Sequence, residues 1–221
     1  MDQLKYRSVF DIIGPVMVGP SSSHTAGAAR IGKVVRKIFG EQPDTVDIYL
    51  YESFAKTYRG HGTDIALVAG LLGMEPDDPR LPDSLKIAHE NGMEVLFVPK
   101  QEKAEHPNMV QLKITKGDRK LTVTGKSIGG GNIQISELNG FKLSLSLGVP
   151  TFIIVHQDVP GMIAKVSNLL SDANINISTM TVTRESKGEK AIMIIEVDDR
   201  NAEILEQINT LDSIHSASYF G

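Results

Sequence analysis

Thr151-Phe152-Ile153-Ile154-Val155-His156, followed by Asp158-Val159-Pro160-Gly161, decides how the C-terminal part of this chain folds. A short apolar run rich in β-branched and aromatic residues, bounded by turn residues, reads as a buried strand. The Pro-Gly pair then turns the chain, and Pro160 suits a helix start because its missing N–H would have no partner there. Ile163, Val166, Leu169 and Leu170 recur on one face of that helix. Strands are expected at 177–184 and 191–197, joined as a hairpin by Ser186-Lys187-Gly188-Glu189. A helix over 201–209 and a strand at 214–219 complete the order βαββαβ, the split βαβ or ferredoxin-like arrangement.

Working outward, Leu147-Gly148-Val149-Pro150 marks a boundary, so domains are expected at 1–148 and 149–221. In the first, Ile31, Val34, Val35 and Ile38 recur at helical spacing, and Gly40 closes that helix as a C-cap. Strands are expected at 46–51, 94–98, 110–115, 121–124 and 132–136, with a second helix over 64–72. Asn139-Gly140 is a tight-turn signal leading into a strand at 141–147. The fold class is α+β.

Composition removes several functions. A net charge of -4 and a pI near 5.9 offer no electrostatic footing for nucleic acid or an anionic membrane. No apolar stretch is long enough to span a bilayer, and Met1-Asp2-Gln3-Leu4-Lys5 lacks the apolar run of a signal peptide, so a cytoplasmic protein is expected. Cysteine is absent, so the chain has no thiolate to hold an iron–sulfur cluster. The six histidines show no i, i+4 pairing, and no metal is expected in this chain.

Three loops remain as candidates for chemistry. Gly19-Pro20-Ser21-Ser22-Ser23-His24-Thr25 lies directly before a helix, where free backbone N–H groups attract a carboxylate or phosphate. One hydroxyl suffices for an N-cap, whereas Ser21, Ser22, Ser23 and Thr25 supply four, and His24 adds a group able to transfer protons near neutral pH. Gly60-His61-Gly62-Thr63-Asp64 also opens a helix and reads equally well as a structural turn. Lys126-Ser127-Ile128-Gly129-Gly130-Gly131-Asn132 lies between strands, either as a close backbone approach or as a hairpin end. It is not a phosphate-binding P-loop, because Lys120 stands where that motif needs Gly.

The first loop with Ala26-Gly27, together with Ser127-Ile128-Gly129-Gly130-Gly131, closely resembles the signature loops of the iron–sulfur L-serine dehydratases, over the whole length of their two-subunit beta chain. The resemblance implies a deaminating lyase (L-serine ammonia-lyase) that converts L-serine to pyruvate and ammonia, as an alpha/beta complex. It implies a [4Fe-4S] cluster carried by the partner alpha subunit, a beta chain inactive alone, and substrate or effector contacts at Ser21, Ser22, Ser23, Thr25, Ser127, Gly129, Gly130 and Gly131, with His24 catalytic. The N-terminal domain also resembles the allosteric substrate-binding domain of some phosphoglycerate dehydrogenases. The βαββαβ segment resembles an ACT domain. That resemblance implies side-by-side self-association and an amino-acid site at Asp158, Val159, Pro160, Gly161 and Met162, with Asn174, Ile175 and Asn176. A stand-alone amino-acid-binding regulator is the competing reading.

Overall fold

The computed structural model describes residues 15–146, 149–198 and 202–220. These divide into two compact units that change over along the chain between Ser146 and Val149, apart from Gly140–Lys142, which cluster with the second.

The first unit is built on strands β1 (Thr45–Leu50), β2 (Glu94–Pro99), β3 (Met109–Lys116), β4 (Arg119–Gly129), β5 (Asn132–Leu138) and β6 (Phe141–Ser146), in the sheet order β2-β1-β3-β4-β5-β6. β1 runs parallel to β2 and antiparallel to β3. Period-two alternation decides the faces: Val46, Ile48 and Leu50 are buried, and so are their partners Ile114, Leu112 and Val110. Helices α1 (Gly27–Phe39) and α3 (Thr63–Leu71) pack closely through two glycines. A Cβ at Gly70 would lie 2.0 Å from the Ala29 carbonyl oxygen, and one at Gly32 would lie 2.2 Å from that of Leu67. Gly40 ends α1 in the left-handed region, its N–H bonded to the Arg36 carbonyl.

Two short helices, α2 (Glu52–Thr57) and α4 (Ser84–Glu90), go beyond the sequence expectation, being too brief to show an apolar period. The expected loop over 126–132 is also corrected. β4 continues to Gly129 because residues 125–127 and 129 find partners on β5, leaving Gly130 and Gly131 as the turn.

The second unit contains β7 (Thr151–Gln157), α5 (Met162–Asp172), β8 (Ile177–Arg184), β9 (Lys190–Val197), α6 (Ile204–Asn209) and β10 (Ile214–Phe220). The observed order is βαββαβ with an antiparallel sheet β10-β7-β9-β8. Its core joins Phe152, Ile154, Met193, Ile195 and Val197 of the sheet to Val166, Leu170, Ile204 and Ile208 of the helices. Two expectations shift. Pro160 stands outside the helix, which begins at Met162 because Gly161 takes φ 89° before it. That start turns Met162 inward and leaves Ile163 50% exposed. The expected start of α6 at residue 201 lies outside the described residues. Among the described residues no helix is long and apolar enough to cross a membrane.

Candidate functional site

Ser21 is extended, and its hydroxyl accepts the His24 backbone N–H at 3.1 Å. From Ser22 to Ala26 the chain makes one π-helical turn, then enters α1. Such a turn is wider than an α-turn and is frequent at functional sites. Ser21 therefore takes the capping role, while the half-buried Ser22 and Ser23 side chains make no hydrogen bond among the described residues. The backbone N–H groups that open this turn carry the partial positive charge of a helix start.

The His24 ring is held on two sides. Nδ1 lies 3.4 Å from the Ser21 hydroxyl oxygen and Nε2 lies 3.1 Å from that of Ser53. Phe54 and His61 meet the ring edge-on, with centroids 5.2 and 4.9 Å away. Burial first, and the neighbouring His61 second, hold the His24 pKa below the ordinary histidine value. The ring is therefore held towards its neutral form.

Both other candidate loops arrive at the same place. The Thr25 hydroxyl donates to the His61 carbonyl at 3.1 Å, bringing in the turn before α3. Thr63, at the start of that helix, is fully buried, and its hydroxyl has no partner among the described residues. The Ser127 hydroxyl donates to the Ser23 carbonyl at 2.8 Å. Gly27 permits this approach, since a Cβ there would fall 2.1 Å from the Ser127 hydroxyl oxygen. Gly129, Gly130 and Gly131 all have positive φ, and the Gly131 carbonyl accepts from Arg30 at 2.8 Å. Backbone approach is close at Gly131, where a Cβ would lie 2.9 Å from Pro15, and open at Gly129.

Ser53, Phe54 and His61 are the contacts that sequence reasoning did not assign to His24. Ser53 lies 29 residues from His24, and no spacing rule links them. The donor set does not suit a metal cluster: the chain has no cysteine, and among the described residues no three histidine or acidic side chains gather at metal-binding distance.

In the second unit the turn from β7 to α5 is tied to the β8–β9 hairpin. Asp158 accepts from the Gly188 N–H at 3.0 Å and from Arg184 at 3.3 Å, and those contacts, the Gly188 bond foremost, hold its pKa below the usual carboxylate value. Its own N–H donates to the Glu189 carbonyl at 2.7 Å. Asn174 takes φ 56° just after α5, with its N–H on the Ser171 carbonyl, and Ile175 is buried beyond it. Asn176 donates to Asp198 at 2.6 Å. Pro160, Gly161 and Met162 form the approach to the α5 N-terminus.

Residues 8–84 match the serine dehydratase beta chain family and residues 151–212 match the ACT domain family. A Bacillus subtilis protein named probable L-serine dehydratase, beta chain, is 48% identical over 212 residues, 96% of each chain. The L-serine dehydratase beta chain of Peptoniphilus asaccharolyticus is 36% identical over 202 residues, 90% of each chain. The D-3-phosphoglycerate dehydrogenase of Bacillus subtilis is 32% identical over 178 residues, which are 77% of this chain and 33% of that one.

Proposed function

The chain belongs to the L-serine dehydratase beta chains, and from that premise we propose that it is the beta subunit of a lyase that converts L-serine to pyruvate and ammonia. The observation that carries the reading is the convergence of Ser21, Ser53 and His61 on His24, with Ser127 holding the same loop in place. The amides opening the π-turn, with the Ser22 and Ser23 hydroxyls, receive the serine carboxylate. Ser127 holds the loop's Ser23 carbonyl and Thr25 ties the loop to the His61 carbonyl, and together they fix its shape. His24, neutral and anchored at both ring nitrogens, is the chain's proton-transfer group.

The chain's residues do not fit an iron–sulfur cluster. The [4Fe-4S] group that the family resemblance implies is assigned to the alpha subunit, and this chain's part is to bind serine, shape the pocket and handle protons. The second unit, an ACT domain parted from the first near residue 148, regulates the complex. It binds an amino acid against Gly161 and Met162 and associates side by side with its own kind. Gly188 and Arg184 both engage Asp158 Oδ2, and the ligand's ammonium is received at the other Asp158 oxygen or at an Asn174 or Asn176 carbonyl. The complex works in the cytoplasm.

Reconstitution tests the reading. Purified chain, assayed anaerobically for pyruvate, is expected to turn over serine only with a cysteine-bearing alpha subunit present, and pyruvate from this chain alone overturns the division of labour. In the complex, His24→Ala is expected to lower kcat by about 10²- to 10⁴-fold. An unchanged kcat with altered serine affinity would assign the loop to an effector. Tight serine binding by a chain that associates with no alpha subunit would favour the stand-alone regulator.

A further inference from the structure

We infer that Ser53 is a positioning residue for His24: its hydroxyl oxygen accepts the Nε2 proton of the imidazole and so fixes one neutral tautomer in the loop. The inference rests on the reading of His24 as the chain's proton-transfer group.

The geometry begins one residue earlier. Glu52, the first residue of α2, has φ 45°, a left-handed conformation unfavourable for a residue with a Cβ. Such backbone persists only where its surroundings over-determine it, and it gathers at functional sites. Here the surroundings are explicit. The Ser53 and Phe54 N–H groups both donate to the Pro107 carbonyl, at 2.9 and 3.3 Å, and the Glu52 carboxylate accepts the Ala104 N–H at 3.3 Å. The Ser53 carbonyl accepts from Thr57 at 2.8 Å. With both backbone groups anchored, the Ser53 hydroxyl is presented to His24 Nε2 at 3.1 Å, and the fully buried Phe54 sets its ring edge-on against the same imidazole.

The opposite side of the ring gives the direction of the bond. The Ser21 oxygen already accepts the His24 backbone N–H, which favours its hydroxyl as the donor to Nδ1, 3.4 Å away. A neutral imidazole that accepts at Nδ1 carries its proton at Nε2, which then donates to Ser53. Ser21 favours this tautomer only through the longer contact of 3.4 Å, and the Ser53 contact at 3.1 Å is the one that holds it.

The test uses the full chain labelled with ¹⁵N-histidine, and long-range proton–nitrogen correlation near neutral pH. The wild-type chain is expected to show His24 protonated at Nε2 and bare at Nδ1. Ser53→Ala should move both nitrogens to averaged shifts, and Ser53→Thr should restore them. In the alpha/beta complex, Ser53→Ala should lower kcat about tenfold with little change in KM, recovered by Ser53→Thr. A wild-type ring protonated at Nδ1 overturns the inference, as does an unchanged spectrum in a folded Ser53→Ala chain. Should Ser53→Ala not fold, the wild-type tautomer and the Ser53→Thr spectrum still decide. If Ser53→Ala shifts the spectrum while His24→Ala leaves turnover intact, the positioning stands and the role given to His24 in the reaction fails.

Discussion

The Ser127 hydroxyl donates to the Ser23 carbonyl at 2.8 Å, joining β4 to a loop 104 residues away. Ser127 is fully buried, so the Ser23 carbonyl reaches the sheet through a dry contact. Ser127→Ala removes the donor and leaves that carbonyl unpaired. A loss of about 1–3 kcal/mol is expected by urea denaturation, together with weaker serine binding in the complex. A folded variant within about 0.5 kcal/mol of wild type would show that this contact does not hold the loop.

The crossing of α1 and α3 depends on Gly32 and Gly70, whose missing side chains let each helix lie against the other's backbone. Gly32→Ala raises intrinsic helix propensity by about 1 kcal/mol. It also drives a Cβ to 2.2 Å from the Leu67 carbonyl, where the obstacle is backbone and cannot swing away. Overpacking wins, and a net destabilisation of about 1–3 kcal/mol is expected in a thermal melt. A raised melting temperature would refute the packing argument.

His24 gives a pH prediction. Its folded pKa lies below its ordinary value of 6.5, so between the two the folded chain binds fewer protons than the unfolded one. The corresponding stability is present above 6.5 and is lost as pH falls towards the lowered pKa. His106, lowered first by burial and then by Lys126, acts in the same direction. The urea midpoint should therefore fall as pH is lowered from neutral to about 5. His24→Gln should flatten part of that slope; an identical slope in the variant would remove His24 from the effect.

Asp158 ties the β7–α5 turn to the β8–β9 hairpin through Gly188 and Arg184. Its folded pKa is depressed, so the tie is present at neutral pH and is lost as pH falls through the carboxylate range. Asp158→Asn should speed amide exchange at Gly188 by about tenfold, while amides of β9 in the core exchange as before. Uniform acceleration throughout the second unit would mean that the turn supports the whole sheet.

The second unit was largely legible because its apolar runs are long, alternate with turn residues, and differ in period between strand and helix. Its errors were local: Gly161, not Pro160, sets the start of α5, since a left-handed residue re-aims the chain before the first helical turn forms. The first unit was legible in its longer strands and in the helix closed by Gly40. α2 escaped notice because six residues beginning on a strained Glu52 carry no period. At the site, Ser21, Ser22, Ser23, His24 and Thr25 stood out because they are consecutive. Ser53 and Phe54 did not, because their bond to the site passes through space.

What the sequence alone determined is local: alternating patterns, turn residues, a hydroxyl-rich loop before a helix, and the absence of thiolate. Those properties depend on neighbours along the chain, so they survive in one dimension. The tertiary structure alone decided which hydroxyls cap, which brace carbonyls and which meet His24. Hydrogen bonds reach only about 3 Å, and whether Ser53 or Ser127 comes that close to the loop depends on how α1, α2 and β4 pack together.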